Sequence, residues 1–505
     1  DVYGFMDDGA IFAGSGTSTA GINVIFGDNV KRIPDYLFLN CPYVTDSIVI
    51  PDSVESIGIS AFDGCTGLTS VTIGKSVTSI GSSAFHGCTG LTSITIPDSV
   101  TDIGESVFDG TTWYNAQPFG DVYAGKVYYK YKGTMLENTS IAIKDGTKGI
   151  AGGAFSGCNG LVDITIPNSV TNIGNWAFRD CDGLTDVTIP GSVKTIGAGA
   201  FYKSGLRNAK LEKGVEVIRD RTFSECYYLT DINIPESVSS IGYHAFIDCR
   251  NLTSIHIPGS VKYIDSYAFG DDLTNSCKFL VSVILDEGIE TIGYRAFSST
   301  AIKQIIIPDS VTSLKNAAFY SCSSLTTVTI GSGVEAILGL YDNEDGYSPG
   351  TFQDCPNLTT IKIKKGLKTI EKDAFNGIKS IPDIFFEGSE EEWKEISIDQ
   401  SNDMILRANM HYNADLSHEH SYTETVKEAT CTEDGLRTFT CSCGRSYTEK
   451  IPATGHWFET IVVEPTCISI GYETSTCKNC GLSYFVRSIP ATGHHDYNGD
   501  GRCDA

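Results

Sequence analysis

One short unit recurs through most of the chain and limits the folds open to it. The stretch AFDGCTGLTSVTIGKSVTSI at 61–80 is followed closely by a near copy at 84–103. Written as A-F-x-x-C-x-x-L-T-x-V-T-I-P-x-S-V-x-x-I-G, the unit repeats its phenylalanine mostly every 22 to 24 residues. A fixed period in this range is typical of a solenoid, in which each repeat contacts only its neighbours. The phenylalanines lie at positions 38, 62, 85, 108, 155, 178, 201, 223, 246, 269, 297, 319, 352 and 375.

Alternation within the unit predicts one short strand per turn. Val71 and Ile73 point to one side of an extended backbone and Thr72 points to the other. Stacking the turns at the spacing of hydrogen-bonded strands puts each phenylalanine above the next. We therefore expect an aromatic column inside the stack, with a second apolar seam formed by Val77 and Ile80.

The spacing of Leu68, Val71 and Ile73 resembles the L-x-x-L-x-L core of leucine-rich repeats. With A-F-x-x-C before that core and P-x-S-V-x-x-I-G after it, the unit is similar to the BspA-like leucine-rich repeats of bacterial surface proteins. The resemblance covers residues 22–413, about fifteen turns. It implies a leucine-rich-repeat solenoid of the α/β horseshoe class, dominated by β-structure, with a parallel sheet on one face and short helical, 3-10 and β segments on the other. It also implies a secreted or cell-surface, adhesin-like binding protein without enzymatic chemistry in the repeats.

The charge balance argues against two classes of partner. The formal net charge is −25, whereas a grip on nucleic acid or on an anionic membrane surface needs clustered lysine and arginine. No apolar run approaches the roughly 20 residues needed to cross a bilayer. The chain begins at Asp1 without a signal peptide, so we interpret it as a mature or trimmed form and take an extracellular location from the family resemblance.

Three segments differ from the repeats. Residues 1–21 contain the run GSGTSTAG and are predicted to be a flexible lead-in. Residues 109–139 are rich in tyrosine and indicate a hairpin-like insertion that turns near Gly125. Residues 380–413 are predicted to cap the last open turn, because Ser389 and Glu392 have capping-box spacing for a short helix.

A cysteine follows most of the phenylalanines by three residues. One thiol per turn at a fixed phase favours a buried ladder of small apolar side chains over a disulfide framework, because disulfides show pairing and not a strict period. Cys277 lies off this phase, in an insertion, and is treated as an exception. The ladder comprises Cys41, Cys65, Cys88, Cys158, Cys181, Cys226, Cys249, Cys322 and Cys355.

The C-terminal region is predicted to be a tandem pair of small β-rich modules, residues 418–456 and 457–494, each ending in Ile-Pro-Ala-Thr-Gly-His. Three thiolates and one imidazole per module match a tetrahedral structural zinc site, and the C-x2-C spacing favours the second module. Disulfides are the alternative, although three cysteines per module leave an odd thiol. The candidate ligands are His420, Cys431, Cys441 and Cys443 in the first module and His456, Cys467, Cys477 and Cys480 in the second.

Two further motifs resemble functional sites. Asp496, Asn498 and Asp500 lie in the acidic tail 495–505 and resemble the opening of a calcium loop. The sequence ends before the bidentate acid of such a loop, so a solvated tail is the alternative. Ser348 lies in a G-x-S-x-G match, but within an insertion and followed by proline, without the strand–elbow–helix context of a hydrolase nucleophile. We predict no enzyme.

Two surfaces are candidates for binding a partner. Ile284 and Ile306, with His256 nearby, depart from the polar character of the outward strand positions. Tyr243, Tyr267 and Tyr294 belong to a series of aromatic residues beside the column, and tyrosine is enriched at binding hot spots. The alternative is that these rings only shield the flank of the column.

The sequence therefore predicts a non-enzymatic extracellular protein, monomeric, that binds a host protein, a glycan or another microbe. A second hypothesis is a scaffold whose repeats act as a spacer and whose C-terminal tail docks it to a larger surface assembly.

Overall fold

The structure, a computed structural model, describes residues 21–271, 276–343, 346–416, 422–441, 446–466 and 469–491. It divides into two compact units, Asp1–Ser417 and His418–Ala505. The predicted lead-in, except for Gly21, and the predicted acidic tail lie outside the described residues.

The first unit is a leucine-rich-repeat solenoid, as predicted, with two columns of parallel strands. Main strands contain the V-x-I core, so that Val71 pairs with Ile94 of the next turn. Short strands of two residues contain the second seam, so that Ile80 pairs with Ile103. The main strands are Asp46–Val49, Leu68–Thr72, Ser93–Thr95, Thr139–Ala142, Leu161–Thr165, Asp186–Ile189, Asn208–Leu211, Asp231–Ile232, Ser254–Ile257, Ser282–Leu285, Gln304–Ile306, Thr327–Ile330, Thr360–Ile363, Asp383–Phe386 and Asn409–His411. The short strands are Arg32–Ile33, Ser56–Ile57, Ser79–Ile80, Asp102–Ile103, Gly149–Ile150, Asn172–Ile173, Thr195–Ile196, Val217–Ile218, Ser240–Ile241, Tyr263–Ile264, Thr291–Ile292, Ser313–Leu314, Ala336–Ile337, Thr369–Ile370 and Ser397–Ile398.

The predicted aromatic column forms the centre of the core. Phe178 is fully buried and stacks on Phe155 at 5.1 Å and on Phe201 at 5.0 Å, measured between ring centroids. These separations follow the spacing of adjacent strands, because each turn places its ring directly over the previous one. Burial of each ring contributes roughly 1.5–3 kcal/mol before conformational entropy is subtracted.

Backbone hydrogen bonds lock the column in register. In an ordinary turn the phenylalanine N–H donates to the carbonyl just before the next phenylalanine, as Phe178 N–H does to Ala200 at 2.7 Å. At two places a side chain replaces that carbonyl. Phe108 N–H donates to the Tyr129 hydroxyl at 2.9 Å, and Phe375 N–H donates to Asn402 Oδ1 at 3.2 Å. A buried N–H without an acceptor is destabilising by ~1–3 kcal/mol. These side chains therefore supply the missing acceptor for the phenylalanine N–H where the repeat ends.

The first of these places is a hairpin between Phe108 and Phe155. Its strands, Gly120–Ala124 and Val127–Lys132, pair antiparallel, and Gly125 turns between them with a φ of 61°. Tyr128 stacks on Phe155 at 4.5 Å, while Tyr129 contacts Phe108 at 5.3 Å. Because neighbouring strand residues point to opposite faces, Tyr128 packs with the core of the later turns and Tyr129 with that of the earlier ones. A short helix, Thr112–Asn115, precedes the hairpin.

The second place is the C-terminal end of the stack. The predicted capping box is present before helix Glu390–Lys394, with Glu392 N–H donating to Ser389 Oγ at 3.3 Å and Ser389 N–H to the Glu392 carboxylate at 2.8 Å. Trp393 packs edge-on against Phe386 at 5.3 Å. A further helix, Asp403–Leu406, buries two apolar side chains over the last turn.

The ladder cysteines are free thiols, buried in the core. Each of several thiols donates to the carbonyl of the phenylalanine one turn earlier, for example Cys88 to Phe62 at 3.0 Å. Cys277 makes the same contact to Phe246, also at 3.0 Å. The expectation that Cys277 stands apart was therefore wrong, because the insertion before it returns the chain to the ladder position.

We expect the ladder thiols to resist alkylation in the folded protein. Burial raises the pKa of Cys88 to about 12 and that of Cys158 to about 11, so little reactive thiolate forms at neutral pH. Mass spectrometry after iodoacetamide treatment should show these residues unmodified before denaturation and modified after it. Cys480, which is exposed, is the positive control once metal has been chelated. Native labelling of the ladder at the rate of Cys480 would contradict this assignment.

A second hairpin, Tyr341–Asn343 with Gly346–Ser348, projects from a later turn. The G-x-S-x-G match begins in this hairpin, so Ser348 ends a short strand and does not occupy an elbow before a helix. Among the described residues, no helix is long and apolar enough to cross a membrane.

In its described residues, the second unit contains two antiparallel sheets of three strands each. The first sheet contains Tyr422–Lys427, Gly435–Cys441 and Ser446–Ile451; the second contains Phe458–Val463, Gly471–Cys477 and Ser483–Ile489.

Candidate functional site

The loop position two residues before the column phenylalanine adopts a left-handed backbone conformation in every turn but that of Phe352, where Gly350 does not. The turns of Phe62 and Phe85 place small residues there, Ser60 at φ 47° and Ser83 at φ 57°, whereas the first turn has Tyr36 at φ 60°. Middle turns place bulky residues in the same conformation, among them Trp176 at 58° and Tyr267 at 58°. A bulky L-residue at positive φ is uncommon and destabilising by roughly 1–2 kcal/mol. Bulky side chains therefore occupy this uncommon conformation in the middle turns, where several other turns have small residues.

These bulky residues and the rings beside them form a strip along the middle turns, which we call the aromatic flank. Tyr243 stacks on His244 at 3.8 Å and contacts Tyr267 at 5.7 Å, and Tyr267 contacts Tyr294 at 5.3 Å. The structure thus brings together the three tyrosines chosen from the sequence, each of them half-buried. The aromatic flank comprises Trp176, Tyr202, Arg221, Tyr243, His244, Tyr267, Tyr294, Arg295 and Tyr320.

Cations alternate with the rings of the aromatic flank. The guanidinium of Arg221 lies over Tyr243 at 5.4 Å. Arg295 lies between Tyr294 at 5.3 Å and Tyr320 at 5.2 Å, and its Nε donates to the Tyr294 hydroxyl at 2.8 Å. Burial raises the pKa of Tyr267 to about 12, so this phenol stays a neutral donor at physiological pH. Sequence reasoning missed both arginines, although their constant phase relative to the phenylalanines was visible.

The N-terminal end of the aromatic flank has a glycine that makes room for its tryptophan. A Cβ added at Gly199 would lie 2.1 Å from Cζ3 of Trp176. The indole therefore lies directly over the next turn, and its other edge contacts Tyr202 at 5.6 Å. This arrangement holds a half-buried indole in one orientation at the surface.

The outward sheet positions present less exposed apolar surface than the sequence indicated. Ile284 is only 4% exposed, so the expectation of an exposed isoleucine pair with Ile306 was wrong. The strand register places Ile284 beside His256, whose Nε2 lies 2.7 Å from Asp286, and neighbouring side chains cover the isoleucine. Ile306 is half-buried.

A cleft of about 380 Å³ runs along the short strands. Its carboxylate Asp102 accepts a hydrogen bond from Asn172 Nδ2 at 3.1 Å. Burial raises the pKa of Asp102, and Asn172 and Arg219 oppose that shift. This carboxylate is held by a hydrogen bond from an amide of another turn, an arrangement that serves packing between turns.

In the second unit, four candidate metal ligands converge. One ligand atom from each of Cys431, His456, Cys477 and Cys480 lies within 4.8 Å of the others. Three of them were grouped from the sequence, but Cys431 was assigned to the first module. This cluster could hold a metal ion.

The remaining predicted ligands cannot be placed. His420, Cys443 and Cys467 lie outside the described residues, as do Asp496, Asn498 and Asp500. Cys441 ends a described strand, but its side chain is not among those described.

The comparisons with known proteins agree with the fold. The family described as BspA type leucine rich repeat region (6 copies) matches residues 18–118, 148–275, 248–339 and 347–421. No curated protein matches the chain.

Several solved structures of bacterial repeat proteins are similar. A leucine-rich repeat protein from Bacteroides ovatus ATCC 8483 is 21% identical, with 72% of this chain and 82% of that chain covered at a TM-score of 0.33. A leucine rich cell surface protein from Faecalibacterium prausnitzii A2-165 is 26% identical, with 73% and 86% covered at 0.31. The pneumococcal vaccine antigen PcpA is 19% identical, with 76% and 90% covered at 0.37.

Proposed function

Because the chain belongs to the BspA-type leucine-rich repeat family, we propose that it is a non-enzymatic binding protein of the bacterial surface. Its partner is a protein or glycan of a host or of another microbe, and the aromatic flank is the surface that binds it. The protein acts as a monomer outside the cell. Membership of the BspA-type repeat family supports this location.

The observation that carries the proposal is that large rings occupy a left-handed backbone position that other turns fill with small residues. Trp176, His244 and Tyr267 occupy a left-handed position that the turns of Phe62, Phe85 and Phe108 fill with serine. Local strain persists where the surrounding structure imposes it, and it is concentrated at functional sites. Packing alone does not require large rings here, because the turns containing Ser60 and Ser83 form the same column without them.

The chemistry of the aromatic flank suits a surface ligand. Half-buried tyrosine and tryptophan rings present flat apolar area on few rotatable bonds, so little conformational entropy is lost on binding. Arg221, which is exposed beside Tyr243, adds donors for carboxylate or hydroxyl groups. A sugar ring or an extended peptide can lie on such a strip, and the net charge of −25 disfavours nucleic acid.

One observation favours the scaffold hypothesis as a second candidate. The second module of the tail exposes several apolar side chains, including Trp457 at 68% and Phe485 at 61%. Exposed apolar patches on small domains mark interaction surfaces. On this hypothesis the tail docks to a larger assembly and the repeats act as a spacer.

A binding screen tests the primary proposal. The full chain is titrated against immobilised extracellular-matrix proteins and glycans, with saturable binding to at least one of them expected. The variant Trp176→Ser/His244→Ser/Tyr267→Ser installs the residue that early turns use, and it should weaken binding at least about tenfold while the fold is retained.

Thr188→Ser, on the exposed sheet face of a turn that includes Trp176, is the matched control and should bind normally. Equal affinity for the triple variant and the native chain would contradict the assignment to the aromatic flank. An absence of saturable binding across the panel would favour the spacer hypothesis.

A further inference from the structure

We propose that one zinc ion, held by Cys431, His456, Cys477 and Cys480, clasps the two C-terminal modules to each other. Cys431 belongs to the first module, whereas Cys477 and Cys480 belong to the second, and His456 ends the linker between them. The sequence suggested a separate site inside each module. The inference concerns the tail and is independent of the ligand bound by the repeats.

The distances match a tetrahedral zinc site. Zinc–sulfur bonds of about 2.3 Å place two sulfur ligands ~3.8 Å apart along a tetrahedral edge. The Sγ atoms of Cys431 and Cys477 are 3.7 Å apart. A sulfur and a nitrogen ligand should be separated by ~3.6 Å, and Cys480 Sγ lies 3.3 Å from His456 Nδ1. A disulfide would instead need sulfur atoms at about 2.05 Å.

Local structure in the second module aims its ligands at one point. Cys477 ends a strand and Cys480 follows in a tight turn, closed by a hydrogen bond of 3.0 Å from Gly481 N–H to the Cys477 carbonyl. Phe458, two residues after His456, pairs with Cys477 across the sheet. This pairing brings the imidazole beside the C-x2-C turn.

The linker between the modules brings Cys431 to the same point. Thr454 N–H donates to the Thr430 carbonyl at 2.9 Å, and Ala453 N–H donates to Asp434 Oδ1 at 2.7 Å. The recurring Ile-Pro-Ala-Thr-Gly-His motif therefore ties itself to the loop that contains Cys431 and then delivers His456. The Thr454 hydroxyl also donates to the Thr430 carbonyl, at 3.3 Å, which gives the threonine of the motif a structural role.

The described residues of the tail form no sizeable apolar core that would stabilise it. Among its described residues, the buried apolar side chains are the thiols of Cys431 at 7% exposed and Cys477 at 1%. Apolar residues such as Trp457 and Phe485 are exposed instead. Small modules without an apolar core need a staple, and for a structural zinc site binding and folding are one equilibrium.

The donor set selects zinc. Three thiolates and one imidazole are soft to borderline ligands, which suit zinc and not calcium or magnesium. On binding, each of the three thiols releases its proton to solvent and forms a bond to the metal. With one neutral imidazole, the filled site has a net charge of −1.

Zinc content of the full chain, purified under reducing conditions, tests the clasp. Cys431→Ser and Cys477→Ser should each lose one equivalent of zinc, and the double variant should also lose only one, because both residues serve the same ion. Cobalt substituted for zinc should give tetrahedral visible bands and a thiolate charge-transfer band, both lost in either variant. Cys322→Ser, in the ladder of the solenoid, is the control and should retain all metal.

Three outcomes would overturn the proposal. The first is a double variant that loses two equivalents, which would assign the residues to separate sites. The second is native protein without zinc. The third is a Cys431–Cys477 disulfide found by mass spectrometry in the protein as purified without reductant. Repeats that stay folded in every variant, as judged by urea melts, exclude general unfolding as the cause of metal loss.

Discussion

Replacing Phe178 by alanine should destabilise the solenoid by ~3–5 kcal/mol. The ring is fully buried and stacks on a phenylalanine of each neighbouring turn, at 5.1 and 5.0 Å. Removing it leaves a cavity that the two adjacent turns cannot fill, because their backbones are fixed by hydrogen bonds between turns. Urea unfolding followed by circular dichroism gives the change in midpoint and slope.

Thr188→Ala is the matched control, since Thr188 lies on the exposed side of the main strand ten residues later. Its effect should stay within about 0.5 kcal/mol. Comparable losses for Phe178→Ala and Thr188→Ala would mean that the phase of the repeat is misassigned.

Asn402→Ala should open the C-terminal end of the stack. Asn402 is fully buried; its Oδ1 accepts from Phe375 N–H at 3.2 Å, and its Nδ2 donates to the Glu371 carbonyl at 2.8 Å. Alanine leaves the Phe375 N–H and the Glu371 carbonyl without this partner. Each group that water does not reach is then destabilising by ~1–3 kcal/mol. Hydrogen exchange should show faster exchange at Phe375 and in helix Asp403–Leu406, with the turns around Phe178 unchanged.

Asn409→Ala removes the same side chain from an exposed position in the same cap. It should leave the exchange pattern close to that of the native chain. Uniform acceleration along the whole solenoid in Asn402→Ala would contradict the local role assigned to this side chain.

The regular part of the fold could be predicted because every repeat has the same apolar residues to bury. Each turn buries a phenylalanine and the V-x-I core, and stacking is the arrangement that buries both. The ends of that regularity could not be predicted. Tyr129 and Asn402 replace a backbone carbonyl of a missing turn as hydrogen-bond acceptors. Such replacements depend on three-dimensional geometry, which the alternation and spacing of apolar residues in the sequence do not reveal.

The candidate sites were partly visible for the same reason. Tyr243, Tyr267 and Tyr294 share a phase relative to the column or lie beside it, and the structure brings them together. Cys431 was assigned to its own module because nearness in sequence was the available guide. Contacts between the linker and the loop of Cys431 override that nearness. Ile284 was expected to be exposed because strand alternation predicts the direction in which a side chain points. It does not predict whether neighbouring residues cover that side chain.

The central claim is that the repeats, through the aromatic flank, bind the partner. Hydrogen–deuterium exchange of the full chain, with and without the ligand identified by the screen, tests this most directly. The account predicts slower exchange in the loops around Trp176, His244, Tyr267 and Arg295, with residues 422–491 unchanged. Slower exchange confined to 422–491, with those loops unchanged, would contradict it and assign binding to the tail.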